Sequence, residues 1–434
     1  MAPSQPAIYR LKAKTQSYDW GKLGDVSKVA EYAKASGTEI DASKPYAELW
    51  MGTHPNAPSY TLTKDGHEAE ALKDLISANE DLSTHEIYKQ YEGDLPFLFK
   101  ILSIRKALSI QAHPDKTLGA KLFKEFPNVY KDPNHKVSRM IICSYPEMAL
   151  AVTPFEALCG FRPVTEIASH LEQYPEFAEL VGQDVASNFI DTVNKTGNAT
   201  DETSVTQNKG ALKSLFAALM TKEQEQVTRL LAKLVESVKG KSGILPELIT
   251  RCDQQYPGGD IGVFAVLLLN YIKLSPGDAI FLGANEPHAY LSGDCVECMA
   301  ASDNVVRAGL TPKFKDVDVL VNMLTYRYGS AKSQLMNGAK YGPHSLLYDP
   351  PIEEFSVVSS SLKANETEKH EGIKGPSIFI VTSGSGSLLG ENLKTESNYP
   401  LENGYVYFIG ANTPVTFEAG QGGLELYRAF TVPS

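Results

Sequence analysis

The sequence predicts a mainly β protein in which two antiparallel β domains of one kind are accompanied by a helical insertion. Three observations carry this. From Tyr9 to about Phe155, short apolar runs alternate with turn residues (YDWG, YAELWMG, LPFLFKILSI, ALAVTPF), which is the pattern of strands. Between about Thr165 and Leu248 the period changes to the 3.6-residue repeat of amphipathic helices. Finally, residues 276–290 (PGDAIFLGANEPHAY) repeat as residues 403–417 (NGYVYFIGANTPVTF).

Within the first strand-rich stretch, residues 68–76 and 117–126 read as short helices. In the helical block, Leu215, Leu219, Val227, Leu230, Leu231, Leu234 and Val238 form one apolar stripe, and Thr221 followed by Gln224 reads as a capping-box start. Strand patterns return after Pro257 (VFAVLLLNYIKL, DAIFL) and again from about Leu346, with a polar loop near residues 363–374. The expected domains are a discontinuous one at 1–155 and 251–335, the helical insertion at 156–250, and a C-terminal one at 336–434.

Composition narrows the function. The 434 residues are 42% hydrophobic and 21% charged, enough for two or three cored domains. A net charge of -11 and a pI near 5.4 speak against a nucleic-acid or membrane surface as main partner. The N-terminus lacks the apolar stretch of a signal peptide, and no run of about 18 apolar residues occurs, so a cytosolic protein is expected. Five cysteines do not make a secreted disulfide framework. Cys295 and Cys298 form a lone CxxC, without the second pair a structural zinc site needs. GSGSLLG near Gly384 lacks the strand-loop-helix setting of a nucleotide loop and reads as a hairpin turn.

In the repeat, Gly277, Gly283, Ala284, Asn285 and Pro287 align with Gly404, Gly410, Ala411, Asn412 and Pro414, while His288 falls opposite Val415. The spacing from Gly277 to His288 resembles the second motif of the cupins, jelly-roll barrels that hold a metal in their mouth, with Ser292 where that motif usually has Asn. The expected architecture is therefore two cupin-like jelly-roll domains plus an α-helical domain, with the C-terminal copy free of metal. Gln111 and His113 sit two apart after FLFKILSI, so on a strand both side chains enter one barrel.

Beyond these residues, the strings QAHPDK (111–116), NHK (134–136), PEMALA (146–151), TPFEALCGFRP (153–163) and GANEPHAYLSGDCVECMAASDNVVRAGLTPKFKD (283–316) resemble the type I phosphomannose isomerases of eukaryotic type. YDWG (18–21) and AELWMGTHP (47–55) agree, and the resemblance covers the whole chain. It implies one zinc ion held by Gln111, His113, Glu147 and His288, a donor set that suits a catalytic zinc. It also implies reversible interconversion of mannose 6-phosphate and fructose 6-phosphate through a cis-enediol, supplying mannose for GDP-mannose and glycan synthesis. Such a reaction needs an acid-base group and a charge beside the enediolate. Lys136, His135 and Arg307 are the expected catalytic residues, with arginine suited to charge stabilisation rather than proton transfer. Ser109 and Lys313 are expected phosphate contacts, and Lys100, Tyr290, Glu297 and Asp303 further pocket residues. The expected partner is a small sugar phosphate, bound by a monomer.

One departure stands at the site. In the family pattern NHK runs straight into PEMA, whereas here VSRMIICSY (137–145) intervenes. A loop of that size closes at a cost of a few kcal/mol, yet Met140, Ile141 and Ile142 need burial. The segment is read as unspliced intron sequence or a gene-model error, which mature message lacking it would support. Two alternatives follow: a sugar-phosphate-binding cupin inactivated by the insert, or an iron-dependent oxygenase, against which the Gln-His-Glu-His set speaks.

Overall fold

The computed structural model describes residues 7–130, 147–301, 305–390 and 398–433. His135, Lys136, Asp303 and the 137–145 insert lie outside the described residues. Among the described residues the strands gather mainly into two 11-stranded antiparallel sheets. The first runs Leu335–Met336, Ala279–Leu282, Glu147–Ala151, His288–Ala300, Phe97–Ile104, Glu48–Met51, Lys14–Gln16. Off this path, Phe155–Phe161 and Ile110–Ala112 pair with the long strand His288–Ala300. Residues 288–292 of that strand pair with Phe155–Phe161, and residues 293–300 pair with Phe97–Ile104. The change of partner falls at Gly293, whose φ of 108° and whose missing Cβ, which would lie 2.5 Å from the Pro154 carbonyl oxygen, allow only glycine.

The second sheet is built on Ser356–Leu362, Val415–Phe430, Ser377–Gly390 and Val406–Ile409, and continues into Ile8–Lys12, Tyr60–Leu62 and Glu68–Ala71. These three N-terminal strands, expected in the 1–155 unit, thus extend the C-terminal sheet. Ile8 to Leu11 pair with Ile409 to Val406 and cover what would be an open edge. One apolar core holds Leu11, Leu49, Phe97, Met148, Val296, Ile378 and Phe408, so it is shared by residues of both sheets.

The repeat is visible in the backbone. Gly277 and Gly404 have φ of 91° and 87°, and Asn285 and Asn412 have 60° and 58°. Strands Ala279–Leu282 and Val406–Ile409 precede the two asparagines, and the strands that follow begin at His288 and Val415. GSGSLLG is no hairpin turn. It lies inside strand Ser377–Gly390, where the register shifts between Gly384 and Gly386.

Six helices, Val164–Gln173, Pro175–Val181, Gln183–Thr196, Glu202–Met220, Gln224–Val238 and Ile244–Gln255, form the helical block. The apolar stripe from Leu215 to Val238 runs across two of them. Thr221 closes the first and donates to the Ala217 carbonyl, while Glu223 is the N-cap of the next, so the expected capping box does not form. Near the N-terminus, residues 68–71 are strand and the helix is Leu72–Ala78; the other short helix is Lys116–Glu125. Among the described residues no helix is long and apolar enough to cross a membrane.

Candidate metal centre and active site

Three strands bring the metal-type side chains together. Gln111 lies on Ile110–Ala112, with His113 just beyond it, and pairs in register with His288 on one side and Arg307 on the other. Glu147 opens the strand Glu147–Ala151, two strands from Phe97–Ile104. His113, Glu147 and His288 are buried, and their candidate ligand atoms all lie within 4.8 Å of one another. His113 Nε2 is 3.3 Å from Glu147 Oε2, and His288 Nε2 is 3.0 Å from Glu147 Oε1. Atoms held tetrahedrally at zinc distances from one ion lie about 3.3 Å apart, so the spacing fits a single zinc.

The surroundings fit as well. His288 Nδ1 lies 3.1 Å from the Glu286 carbonyl oxygen, and donation there turns the Nε2 lone pair toward Glu147. Tyr290 donates from its hydroxyl to Glu147 Oε1 at 2.9 Å. Burial pushes the Glu147 carboxyl up, but His288 and His113 outweigh it and hold it well below the usual range. Burial and Glu147 together raise the Tyr290 phenol, keeping it a donor. Ser109 donates to Gln111 Oε1 at 3.3 Å. Tyr290 and Ser109, expected beside the substrate, thus bond to two candidate metal ligands, Glu147 and Gln111.

Ser109, Gln111, His113, Glu147 and Tyr290 line a cavity of about 630 Å³, well within the range of small-molecule sites. Lys100, Glu297, Arg307 and Lys313 line it too. Trp50, Lys100 and Glu297 are neighbours across three strands. Lys100 Nζ is 2.9 Å from Glu297 Oε2 and 5.2 Å from the centre of the Trp50 ring, whose indole N–H donates to Glu48. Burial lifts the Glu297 carboxyl to about 7 against the pull of Lys100. Lys100 is raised despite its burial because Glu297 and Glu48 face it, so it stays charged. Arg307 is half-buried, and its guanidinium meets no carboxylate among the described residues. A cation left in this state is suited to an incoming anion.

Glu48 and Trp50 were not singled out from sequence. Their two-residue spacing in AELWMGTHP, on a strand paired with Phe97–Ile104, is the signal that places both beside Lys100. The CxxC cysteines are buried and unbonded, and they enter different apolar clusters on opposite faces of their strand.

Comparison with known proteins bears on this site. Models of the type I phosphomannose isomerase catalytic domain, helical insertion domain and C-terminal region match residues 8–164, 180–269 and 345–389. Mannose-6-phosphate isomerase of Candida glabrata is 46% identical, over 98% of both chains. The chain belongs to the type I phosphomannose isomerases. Mannose-6-phosphate isomerase of Saccharomyces cerevisiae is 44% identical over 98% of this chain and 99% of its own. A zinc-bound mannose 6-phosphate isomerase superposes with a TM-score of 0.80 at 32% identity, covering 98% of this chain and all of its own. The Salmonella typhimurium enzyme bound to fructose 6-phosphate and zinc superposes at 0.78, with 31% identity and 98% of this chain covered. As a phosphomannose isomerase, this chain has a cupin-like, mainly β architecture with a helical insertion, as its sequence leads one to expect.

Proposed function

We propose that this phosphomannose isomerase interconverts mannose 6-phosphate and fructose 6-phosphate using one zinc ion held by Gln111, His113, Glu147 and His288. The observation that carries the reading is the buried His113-Glu147-His288 cluster opening into a cavity that Arg307 also lines. When bound, zinc supplies Lewis-acid polarisation of a sugar oxygen. The chain's own groups do the rest. Tyr290 holds the Glu147 carboxylate in place. Arg307 balances the negative charge of the enediolate or of the phosphate. Lys313 and Ser109 contact the phosphate, and the Lys100–Glu297 pair meets the sugar hydroxyls. The proton passing between C2 and C1 is assigned to Lys136, with His135 as its neighbour and Asp303 as a further pocket residue, all from sequence. The reading includes the domain division 1–155 with 251–335, 156–250 and 336–434, and a cytosolic monomer feeding mannose into GDP-mannose synthesis.

Assaying the purified, zinc-loaded chain for conversion of mannose 6-phosphate tests this, beside a version lacking residues 137–145. Equal zinc content and turnover in both would support the reading as it stands. Fructose 6-phosphate binding without turnover by the full chain, with turnover by the shortened one, would instead favour the inactivated binder.

A further inference from the structure

Between Arg307 and Lys313 the chain leaves the strand Val306–Gly309 and turns through Leu310, Thr311 and Pro312 along the cavity wall. Leu310 sits at φ 51°, a left-handed conformation that a leucine adopts only when its surroundings impose it. Leu310 is fully buried in the apolar core, and one carboxylate fixes its backbone. Asp260 Oδ1 accepts from the backbone N–H of Leu310 at 2.7 Å and from Gly262 at 2.7 Å, and Asp260 Oδ2 accepts from Thr311 at 3.0 Å. Two of these bonds bridge about fifty residues of sequence, so the carboxylate does more than cap the short turn Gly262–Ala265.

Contact of the two backbones reinforces the tie. A Cβ on Gly309 would lie 2.5 Å from Gly262 Cα, and one on Gly262 would lie 2.5 Å from the Leu310 nitrogen. Thr311 continues the chain of contacts by accepting the Lys313 N–H at 3.1 Å on its hydroxyl. Asp260 is not among the cavity-lining residues, whereas Leu310, Thr311, Pro312 and Lys313 are. An ionised carboxylate accepting three N–H groups makes charge-assisted bonds, roughly twice as strong as neutral ones.

We infer that Asp260 is a positioning residue: it clamps the turn at 310–313 so that the Lys313 cation is held where a substrate phosphate enters. The inference rests on the proposed sugar-phosphate reading. It adds that phosphate affinity is set partly by a carboxylate outside the cavity, which repels a phosphate less there than it would from the wall.

The test compares the zinc-loaded full chain with Asp260→Asn, Lys313→Ala and the double variant, reading KM, kcat, zinc content and inhibition by inorganic phosphate. Asparagine keeps the volume and one acceptor oxygen, so the fold is retained while the clamp loosens. Asp260→Asn should raise KM and the phosphate inhibition constant together, by about fivefold, with kcat within about twofold and zinc content unchanged. In the Lys313→Ala background the same change should add less than about twofold, because the two act through one contact. Independent, multiplying effects would overturn the inference, as would values within about twofold of the unaltered chain. Should the unaltered chain fail to isomerise mannose 6-phosphate, the proposed function falls. Calorimetric titration of the same four proteins with inorganic phosphate would then decide the clamp by itself.

Discussion

Replacing His370 with glutamine should make the C-terminal barrel less sensitive to acid. His370 is wholly buried, with Phe417 and Tyr341 set edge-on to its ring at 4.9 and 5.1 Å. Arg428 Nη1 lies 3.4 Å from Nδ1, and Ser345 Oγ lies 3.3 Å from Nε2. Glu368 is 4.0 Å from Nε2, but its other oxygen accepts the His344 N–H. Burial first, and Arg428 second, push the imidazole from 6.5 down to about 3. Because the folded value is depressed, the unfolded chain takes up this proton first, and stability is lost as pH falls from 6.5 toward 3 and not above 6.5. Each unit in that window costs about 1.4 kcal/mol, so moving from about pH 7.5 to about pH 5 removes about 2 kcal/mol through this residue. Glutamine can still accept from Arg428 but does not titrate. Amide hydrogen exchange in strands Ser377–Gly390 and Val415–Phe430, corrected for intrinsic rates, reports the barrel locally. Acid losses in the two proteins that agree within about 0.5 kcal/mol would refute the reasoning.

Three further outcomes follow from the metal centre and the strand that builds it. Glu147→Gln removes the only carboxylate from the buried cluster, so zinc affinity in a chelator competition should fall by more than about a hundredfold, and isomerase activity with it. Tyr290→Phe deletes the hydroxyl that donates to Glu147, and should weaken zinc by about ten- to a hundredfold while changing unfolding free energy by about 1 kcal/mol. Gly293→Ala forces a side chain against the Pro154 carbonyl at φ 108°. It should cost more than about 2 kcal/mol in denaturant unfolding and lower zinc content, since the strand carrying His288 bends there.

Much of the fold is legible in the sequence because it is local. The paired Gly277 and Gly404, and Asn285 and Asn412, occupy the same backbone conformations in both copies, so the repeat in the letters is a repeat in the chain path. Gln111 and His113 show themselves by strand spacing. What escaped is non-local. The strand Ile8–Lys12 reads like the others around it, and nothing in its letters says that Val406–Ile409 is its partner. The break at Thr221 hides inside an apolar stripe whose period happens to continue across two helices. Tyr290, named from its motif, has a second role that depends on which carboxylate its hydroxyl faces. Asp260 carries no motif at all; its meaning comes from a turn fifty residues away.

The two barrels diverge in more than one position. Opposite His288 the C-terminal copy has Val415, which takes away an imidazole. A single loss of that kind leaves a barrel interior that another residue could still equip for a cation. The interior charge is the deeper difference. In the first barrel a carboxylate, Glu147, stands between two imidazoles and draws a divalent ion inward. In the second, Val415 pairs in register with His370, and His370 lies against Arg428, a fully buried guanidinium whose Nε donates to Ser377. Burial lowers the Arg428 guanidinium to about 10, so it stays charged at neutral and acid pH. A positive charge beside His370 disfavours a cation at that point and, with burial, holds the imidazole neutral. The two copies thus differ in buried charge at the aligned positions: two imidazoles meet one carboxylate in the first, whereas in the second an imidazole lies between a guanidinium and the Glu368 carboxylate.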